Sequence, residues 1–309
     1  MPVRNYTVIT GASQGFGKSL AIECASRQMN LVLVALPGAD LYFLSDFIRR
    51  NYAVDVISVE KDLSSEEECV ALFEFISSSS LSVNMLINNA GIGSTMPFEE
   101  GSIYFYQQQI KVNVLATTLI TRLFLGLMRK HKCSYILNVG SLSSFFFLPG
   151  KEVYSGTKAF IYSFTKSLRR EVRSSGIKVS LVCPGGMNTN LSLTLFNKRG
   201  SYLSRLSIMN PEDVAPLAIE GLLQGKEIII PGKVNRMFLF LNNILPARIK
   251  NRLARFGMKK MKTFTPAAAI SQSIVCSAFQ PGITPTGGNQ PAILAFALSG
   301  AGKRSDSFR

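Results

Sequence analysis

Histidine, tryptophan and paired cysteines are scarce or missing in this chain of 309 residues. It has one histidine, His131, and no tryptophan, and none of its five cysteines stands in a C-x-x-C pair. Zinc and iron are usually held by clusters of histidine and cysteine, so the sequence predicts no metal site. Scattered cysteines are typical of reduced cytoplasmic thiols. They are Cys24, Cys69, Cys133, Cys183 and Cys276.

Long apolar runs are missing as well. No stretch of about 18 uninterrupted apolar residues occurs, so the sequence predicts no conventional membrane span. The first residues, MPVRNYTVITGAS, lack the charged and apolar regions of a secretory signal, and we expect a cytoplasmic protein. His131 follows Met-Arg-Lys at the end of a predicted helix, which favours a solvated cation over a catalytic group.

Acidic residues are few, since 19 Asp and Glu stand against 34 Lys and Arg, with a formal net charge of +15. Much of the excess lies in residues 233–262, which contain nine Lys and Arg and no acidic residue. This segment fits an amphipathic helix on an anionic membrane at the cytoplasmic face. It also fits a helix that packs over the mouth of a site, or in an oligomer interface, with a solvated basic face. Without a recognition module, nucleic-acid binding is not expected.

Apolar strand-like runs alternate with helix-like segments over most of the chain. Runs such as NLVLVAL and SYILNVG are rich in Val, Ile and Leu, which is typical of parallel strands buried on both faces. Seven such runs predict a Rossmann-type, doubly wound seven-stranded parallel sheet in a three-layer α/β/α domain. We expect this domain over residues 1–232, a basic apolar helical segment over 233–262 and a low-complexity, disordered tail over 263–309.

The first predicted strand leads into TGASQGFG, which places Gly11, Gly15 and Gly17 before a helix. Glycines permit a tight turn and let backbone N–H groups approach a pyrophosphate at a helix N-terminus. The spacing is G-x-x-x-G-x-G rather than G-x-G-x-x-G, and such a motif is weak alone. Its place between a buried strand and a helix makes a dinucleotide site the better interpretation.

The end of the second predicted strand bears on the choice of nucleotide. An acidic residue there would hold the ribose hydroxyls of NAD, whereas an Arg would accept the 2′-phosphate of NADP. The sequence has Ala35, Leu36 and Pro37 instead. Because no carboxylate at these positions repels a phosphate, we expect NADP to be preferred over NAD, with Ser13 and Lys18 as phosphate contacts.

Several motifs occur in a fixed order along the chain. Residues 88–91 read NNAG, residues 184–189 read PGGMNT, and YSGTK follows thirteen positions after the serine of NVGS. In this set and spacing the sequence resembles the short-chain dehydrogenase/reductase family over about residues 5–232, including 3-oxoacyl reductases and hydroxysteroid dehydrogenases. The remaining matching motifs are TGASQGFG, Asp62 in EKDLS and Asn113 in KVNVLA.

The resemblance implies a role for each matching residue. Asp62 is expected to contact the adenine ring, and Asn89 to Gly91 to support the adenosine. The implied catalytic residues are Asn113, Ser141, Tyr154 and Lys158. The implied cofactor-binding residues are Gly11, Ser13, Gly15, Phe16, Gly17, Asp62, Asn89, Ala90, Gly91, Tyr154, Lys158, Pro184, Gly185 and Thr189.

The implied reaction interconverts a ketone and a secondary alcohol. An isolated tyrosine has a pKa of about 10, and a nearby lysine together with an oxidised nicotinamide would lower it. Tyr154 would then act as general acid and base, with Ser141 hydrogen-bonding the substrate oxygen. Lys158 would also hold the nicotinamide ribose, and Asn113 would anchor a water. For Asn113 alone, a solvent-exposed amide inside a helix is the simpler alternative.

Two segments bear on the substrate. Phe145 to Phe147 either line an apolar pocket or pack in the core. The segment after Thr189 falls where the family carries its substrate lid, and its apolar and basic mixture suits a lipid-like or acidic acyl compound. We therefore expect NADPH-dependent reduction of a 3-oxoacyl, sphingoid or steroid-like carbonyl by a homo-oligomer. The alternatives are a catalytically silent nucleotide-binding protein and a membrane-surface interaction protein.

Overall fold

A computed structural model describes residues 4–93, 95–198 and 205–245. Its centre is a sheet of seven parallel strands in the order β3-β2-β1-β4-β5-β6-β7. This confirms the predicted fold class, and each strand overlaps a predicted apolar run, with starts that differ by at most two residues. The strands are β1 Asn5–Thr10, β2 Asn30–Ala35, β3 Val56–Glu60, β4 Ser82–Asn88, β5 Ser134–Val139, β6 Ile177–Val182 and β7 Ile228–Ile229.

Helices cover both faces of the sheet. Some begin at recognisable caps: Ser65 accepts a hydrogen bond from the backbone of Glu68 at 3.3 Å, ahead of a first turn that is rich in Glu. The α-helices are α1 Gly15–Ser26, α2 Ala39–Asn51, α3 Glu66–Ser78, α4 Ile103–Ile110, α5 Thr117–Met128, α6 Glu152–Glu171, α7 Leu191–Lys198, α8 Pro211–Leu223 and α9 Lys233–Ile244. Short 3-10 turns occupy Phe98–Glu100, Leu142–Phe145 and Arg173–Ser175.

Strand β2 shows why the apolar runs are continuous. Its alternate residues Leu31 and Leu33 belong to the core beneath α1, α2 and α8, while Val32 and Val34 belong to the core beneath α3, α5 and α6. All four side chains are fully buried. A strand covered on both faces needs apolar residues at every position, which accounts for the three-layer architecture.

The strand order reverses direction at β1 and β4, which are neighbours in the sheet. From β1 the chain moves outward to β2 and β3, and then returns to β4 on the other side. Such a switch point opens a crevice at the carboxyl ends of the strands, where ligands bind in open α/β sheets. The loops that follow β1, β4 and β5 therefore surround the candidate site.

One continuous helical stretch, Ile103–Met128, is long and apolar enough by length and composition to cross a membrane. It consists of α4, a π-helical segment Lys111–Ala116 and α5. Its α5 part packs on β4 and α3, and its α4 part packs on α6. Polar side chains such as Gln108 and Asn113 are buried within it. This stretch is therefore a core helix of the α/β/α domain.

The predicted C-terminal segment lies only partly within the described residues. Its first part forms α9, which packs against the 3-10 turn after β5. Residues 246–309 lie outside the described residues, and so does the predicted disordered tail over 263–309. The domain boundary at residue 232 remains a prediction.

Candidate active site

The glycine loop after β1 requires glycine for steric reasons. Gly11 has a φ of +63°, and a Cβ atom there would lie 2.8 Å from the Cα of Ala90. A Cβ atom at Gly17 would lie 2.0 Å from the carbonyl oxygen of Gly11. Gln14 lies at the N-cap of α1, and its side chain forms no capping hydrogen bond. The N–H groups of the first turn can therefore donate to another acceptor. The loop thus fits a phosphate group at a helix N-terminus.

The loop after β4 is fastened to the glycine loop by hydrogen bonds. The backbone N–H groups of Asn89 and Ala90 both donate to Thr10 Oγ1 at 3.0 Å. Asn89 Nδ2 donates in turn to the carbonyl oxygens of Thr10 and Gly11, at 2.9 and 3.0 Å. These bonds explain why an Asn-Ala-Gly sequence follows β4, and they hold the predicted adenosine-side residues against the glycine loop.

The predicted contacts at the adenosine end come to the same edge of the sheet. Asp62 lies just after β3, and its Oδ1 accepts a hydrogen bond from the backbone of Ser64 at 2.9 Å. Phe16 is buried in the first turn of α1, Ser13 is half-buried and Lys18 is exposed. These positions are compatible with the predicted contacts and leave their roles untested.

Two carboxylates near the end of β2 were missed by the sequence reasoning, which considered only residues 35–37. Glu60 Oε1 accepts a hydrogen bond from the backbone of Gly38 at 2.9 Å. Asp40 Oδ2 accepts one from Gln14 Nε2 at 3.1 Å. Glu60 belongs to the neighbouring strand and Asp40 to the next helix, so neither is visible in the short stretch that follows β2.

Asn113 lies in the π-helical segment and is fully buried, so the interpretation as a solvent-exposed amide is wrong. Its Oδ1 accepts from the backbone of Ile92 at 2.8 Å, and its Nδ2 donates to the carbonyl oxygen of Ile92 at 3.0 Å. Nδ2 also donates to Thr157 Oγ1 at 3.0 Å. A π-helical turn inside an α-helix is often found at functional sites. Here it brings the amide between the loop after β4 and helix α6.

Ser141, Tyr154 and Lys158 converge at the carboxyl end of β5. The side chain of Ser141 lies near enough to the Tyr154 hydroxyl to lower the Tyr154 pKa. Lys158 is buried, donates to the carbonyl oxygen of Val139 at 2.8 Å and lies 5.9 Å from the centre of the Tyr154 ring. A Cβ atom at Gly91 would lie 3.5 Å from Lys158 Nζ. The structure therefore brings the predicted catalytic side chains together beside the predicted nucleotide loops.

The predicted lowering of the Tyr154 pKa involves an oxidised nicotinamide, and the protein groups alone act in the opposite direction. Burial raises the pKa of Tyr154, and the hydrogen bond with Ser141 is the opposing contribution. Burial lowers the pKa of Lys158 from 10.5 to about 8. The protein groups alone therefore keep Tyr154 protonated and do not lower its pKa, because desolvation outweighs the contribution of Ser141.

Cys183 lies beneath the cluster and is fully buried. Burial raises its pKa to about 12, so it is a neutral thiol without nucleophilic character. The four cysteines among the described residues are all free, in agreement with reduced thiols.

The segment after β6 closes the other side of the site. Pro184 accepts a hydrogen bond from the backbone of Leu142 at 2.9 Å, next to Ser141. Thr189 lies against Gly15, where a Cβ atom would meet its side chain at 3.0 Å. A Cβ atom at Gly185 would lie 2.8 Å from Oδ1 of Asn235 in α9. Sequence reasoning considered this segment as a helix that packs over the mouth of a site, but it did not single out Asn235.

The phenylalanines after Ser141 have different environments. Phe145 packs edge-on against Tyr162 with ring centres 5.0 Å apart, which favours core packing. Phe147 is 97% exposed at the surface. In the predicted lid, α7 is described, whereas residues 199–204 lie outside the described part of the chain.

Known proteins are similar to this chain in sequence and in fold. A family model described as short chain dehydrogenase matches residues 5–200. The 3-oxoacyl-(acyl-carrier-protein) reductase FabG of Aquifex aeolicus is 30% identical over 217 residues, which is 69% of this chain and 88% of the relative. The NADP-dependent 3-hydroxy acid dehydrogenase of Schizosaccharomyces pombe is 29% identical over 229 residues, covering 72% and 88%. A short-chain dehydrogenase/reductase from Burkholderia phymatum, solved in complex with NAD, is 26% identical with a TM-score of 0.67, covering 77% and 92%.

Proposed function

Because this chain belongs to the short-chain dehydrogenase family and is therefore an NAD(P)-dependent oxidoreductase, we propose that it reduces a lipid-like carbonyl with NADPH, using Tyr154 as general acid. The neighbouring side chains of Ser141 and Tyr154, with the buried ammonium of Lys158 at 5.9 Å from the Tyr154 ring, carry this proposal. A proton donor, a second hydroxyl donor and a cation in one place suit a carbonyl that becomes an alkoxide during reduction.

The cofactor would lie along the carboxyl ends of β1, β4 and β5. The glycine loop and the N-terminus of α1 would hold the pyrophosphate, and Tyr154 with Lys158 would hold the nicotinamide ribose. When bound, the nicotinamide supplies the hydride to the carbonyl carbon. The fit is supported by the close approach of the loop backbones at Gly11 and Gly17, where no side chain has room.

The protein side chains would handle the proton. Tyr154 would donate its hydroxyl proton to the carbonyl oxygen, while Ser141 hydrogen-bonds the same oxygen and stabilises its developing negative charge. The raised pKa of Tyr154 favours the protonated phenol, which is the form that reduction requires. Asn113 would position Thr157 and the loop at Ile92 rather than contact the carbonyl.

A lipid-like substrate is supported by two observations. The Aquifex relative is named for a 3-oxoacyl substrate, and the Schizosaccharomyces relative for 3-hydroxy acids. Phe147, six residues after Ser141, is also exposed, and so are four apolar residues of α9, the helix whose Asn235 lies against Gly185. The α9 residues are Met237, Phe240, Leu241 and Ile244.

The proposed preference for NADP can be tested by titration. Glu60 and Asp40 each accept a hydrogen bond from the chain. The proposed preference for NADP rests on phosphate contacts of Ser13 and Lys18. We expect NADPH to bind more tightly than NADH in a fluorescence titration, and Lys18→Gln to reduce the difference. Equal affinities for the two nucleotides would contradict the preference.

The central experiment replaces the proposed acid. Tyr154→Phe is expected to lower kcat by about a thousandfold, within the range of general acid catalysis, because the carbonyl oxygen loses its proton donor. Nucleotide affinity should change much less. Tyr162→Phe is the matched control, because this tyrosine lies two turns further along α6 and packs on Phe145. Retained turnover in Tyr154→Phe would contradict the assignment.

We also propose that the protein is cytoplasmic, forms homo-oligomers and touches membrane surfaces through residues 233–262. Exposed apolar side chains on α4 and α6, Ile103, Ile110 and Phe160, support an oligomer interface.

The exposed face of α9 supports membrane contact, which co-sedimentation with anionic liposomes would test. Because α9 also carries the buried Asn235, the variant should be Phe240→Ser with Ile244→Ser rather than a truncation. Unchanged co-sedimentation would contradict the membrane contact.

A further inference from the structure

Four lysine ammonium groups lie on three tyrosine rings in the described part of the chain, and three of these lysines have a second polar partner. The exception is Lys151, whose Nζ lies 5.4 Å from the centre of the Tyr154 ring. Within residues 4–93, 95–198 and 205–245 its ammonium group has no hydrogen-bond or ion-pair partner. The partnered groups are Lys158 with the carbonyl oxygen of Val139, Lys166 with Glu227 and Lys178 with the carbonyl oxygen of Leu223.

Lys151 lies on the entrance side of the site. It precedes α6, three positions before Tyr154, whereas Lys158 follows four positions after, so both belong to the same helix face. Lys158 reaches the backbone of β5 at the sheet. Lys151 belongs to the loop whose preceding residues, Phe147 and Leu148, are exposed. The Tyr154 ring therefore has the Lys158 ammonium on the side of the sheet and the Lys151 ammonium on the side of this exposed loop.

The neighbouring carboxylate forms no ion pair with Lys151 in the described part of the chain. Oε1 of Glu152 accepts a hydrogen bond from the backbone N–H of Gly150 at 2.8 Å. Lys151 is half-buried, and burial lowers its pKa. A partly desolvated ammonium without a counter-charge is unfavourable and gains from an anion beside it.

We propose that Lys151 determines substrate specificity, by binding a carboxylate close to the carbonyl group that Tyr154 and Ser141 hold. This inference rests on the proposed function and narrows its substrates to oxo acids. A carboxylate would form a charge-assisted hydrogen bond with the ammonium, which a neutral ester or steroid lacks. A positively charged sphingoid base would be repelled, so the same residue selects against it.

The test compares 3-oxodecanoate with its methyl ester, which differ only in the charged group. We expect wild type to prefer the acid, and Lys151→Met to lower the acid-to-ester ratio of kcat/KM about tenfold or more, as for a lost hydrogen bond to a charged group. Lys151→Glu should lower the ratio further. Lys166→Met should keep the wild-type ratio, because Lys166 lies 5.2 Å from the Tyr162 ring on the same helix, away from the cluster.

Binding provides a readout that does not depend on turnover. With saturating NADP, decanoate should bind Lys151→Met about tenfold more weakly than wild type in calorimetric titrations, for the same reason. An unchanged acid-to-ester ratio together with unchanged decanoate affinity would overturn the proposal. If wild type reduced neither compound, the proposed function would be contradicted instead, and the decanoate titration would still decide the role of Lys151.

Discussion

Helix α6 contains the pattern Y-S-x-T-K twice, at residues 154–158 and again at residues 162–166. In both copies a lysine follows a tyrosine by four positions, and its ammonium lies near the ring, at 5.9 Å for Lys158 and 5.2 Å for Lys166. The two copies have different environments. Lys158 is buried against a backbone carbonyl, whereas Lys166 lies at the surface, 3.7 Å from Glu227.

The difference follows from helix geometry. Eight residues correspond to a rotation of about 80° around the helix axis, so the second copy faces a different part of the molecule. Tyr154 faces Ser141 at the end of β5, and Tyr162 faces Phe145. Both threonines accept a hydrogen bond from a buried asparagine, Thr157 from Asn113 and Thr165 from Asn138. The Y-S-x-T-K pattern therefore fixes the spacing of the side chains within the helix. The surrounding strands and loops determine which copy lies at the candidate active site.

The largest expected effect separates the two lysines. Lys158→Met should lower kcat by about a hundredfold or more, a typical contribution of a group in acid–base catalysis, because the ammonium beside Tyr154 and the ribose is lost. Lys166→Met should stay within about twofold of wild type, since it removes only a surface ion pair. Steady-state kinetics with saturating NADPH measure both variants. Equal losses would show that the cluster at Tyr154 is not the site of reaction.

The second prediction concerns stability and pH. The pKa of Lys158 is about 8 in the folded chain and 10.5 in an unfolded one, so the unfolded chain binds more protons between these values. The free energy of unfolding should therefore rise with pH across this range, by about 3 kcal/mol for this group. Lys158→Met removes that contribution, so its stability relative to wild type should be highest near pH 7 and fall towards pH 10.5. Urea denaturation of both proteins across this range provides the measurement.

Lys166→Met is the control for this pH dependence. Its profile should follow that of wild type, because Lys166 lies at the surface with a partly exposed side chain. A difference between Lys158→Met and wild type that stays constant from pH 7 to 10.5 would contradict the lowered pKa of Lys158.

The sequence predicted the sheet, and the structure brings the predicted catalytic side chains together, but the sequence did not predict the environments of these side chains. Continuous apolar runs such as that of β2 predict a strand covered on both faces, and the structure has it. The π-helical turn at Asn113 has no local signal, since Lys111–Ala116 reads as ordinary helix. The direction of the Tyr154 pKa depends on burial by distant segments, which a motif does not contain.

The duplicated pattern shows the same limit more directly. Tyr154 and Tyr162 each precede a lysine by four positions, so this spacing does not show which tyrosine is the general acid. The thirteen-residue separation from Ser141 is the feature that distinguishes Tyr154. Asn235 was missed for a related reason. Its contact with Gly185 joins segments that are fifty residues apart, and no local pattern reports such packing.

A smaller effect is expected from the two threonines. Thr165→Val should cost about 1–3 kcal/mol in the free energy of unfolding, because it removes the acceptor of the buried Asn138 Nδ2. Thr157→Val should cost less, since Asn113 Nδ2 keeps its bond to the carbonyl oxygen of Ile92. The order should reverse for kcat, which Thr157→Val lowers by shifting Asn113 and the residues around Tyr154. Urea denaturation and steady-state kinetics of both variants test this reversal. If the same variant showed the larger loss in both stability and kcat, the prediction would be contradicted.

The smallest effect concerns the ion pair of the second copy. Glu227→Gln should change the free energy of unfolding by less than about 0.5 kcal/mol, because both side chains of the pair are partly exposed and water screens their attraction. Lys166 keeps its hydrogen bond to the hydroxyl of Tyr162 at 3.3 Å, so the position of the ammonium should persist. Turnover and the acid-to-ester ratio should both remain at the wild-type value. A loss of turnover in Glu227→Gln would mean that the two copies on α6 are coupled, and the second copy could then no longer be treated as a purely structural match for the first.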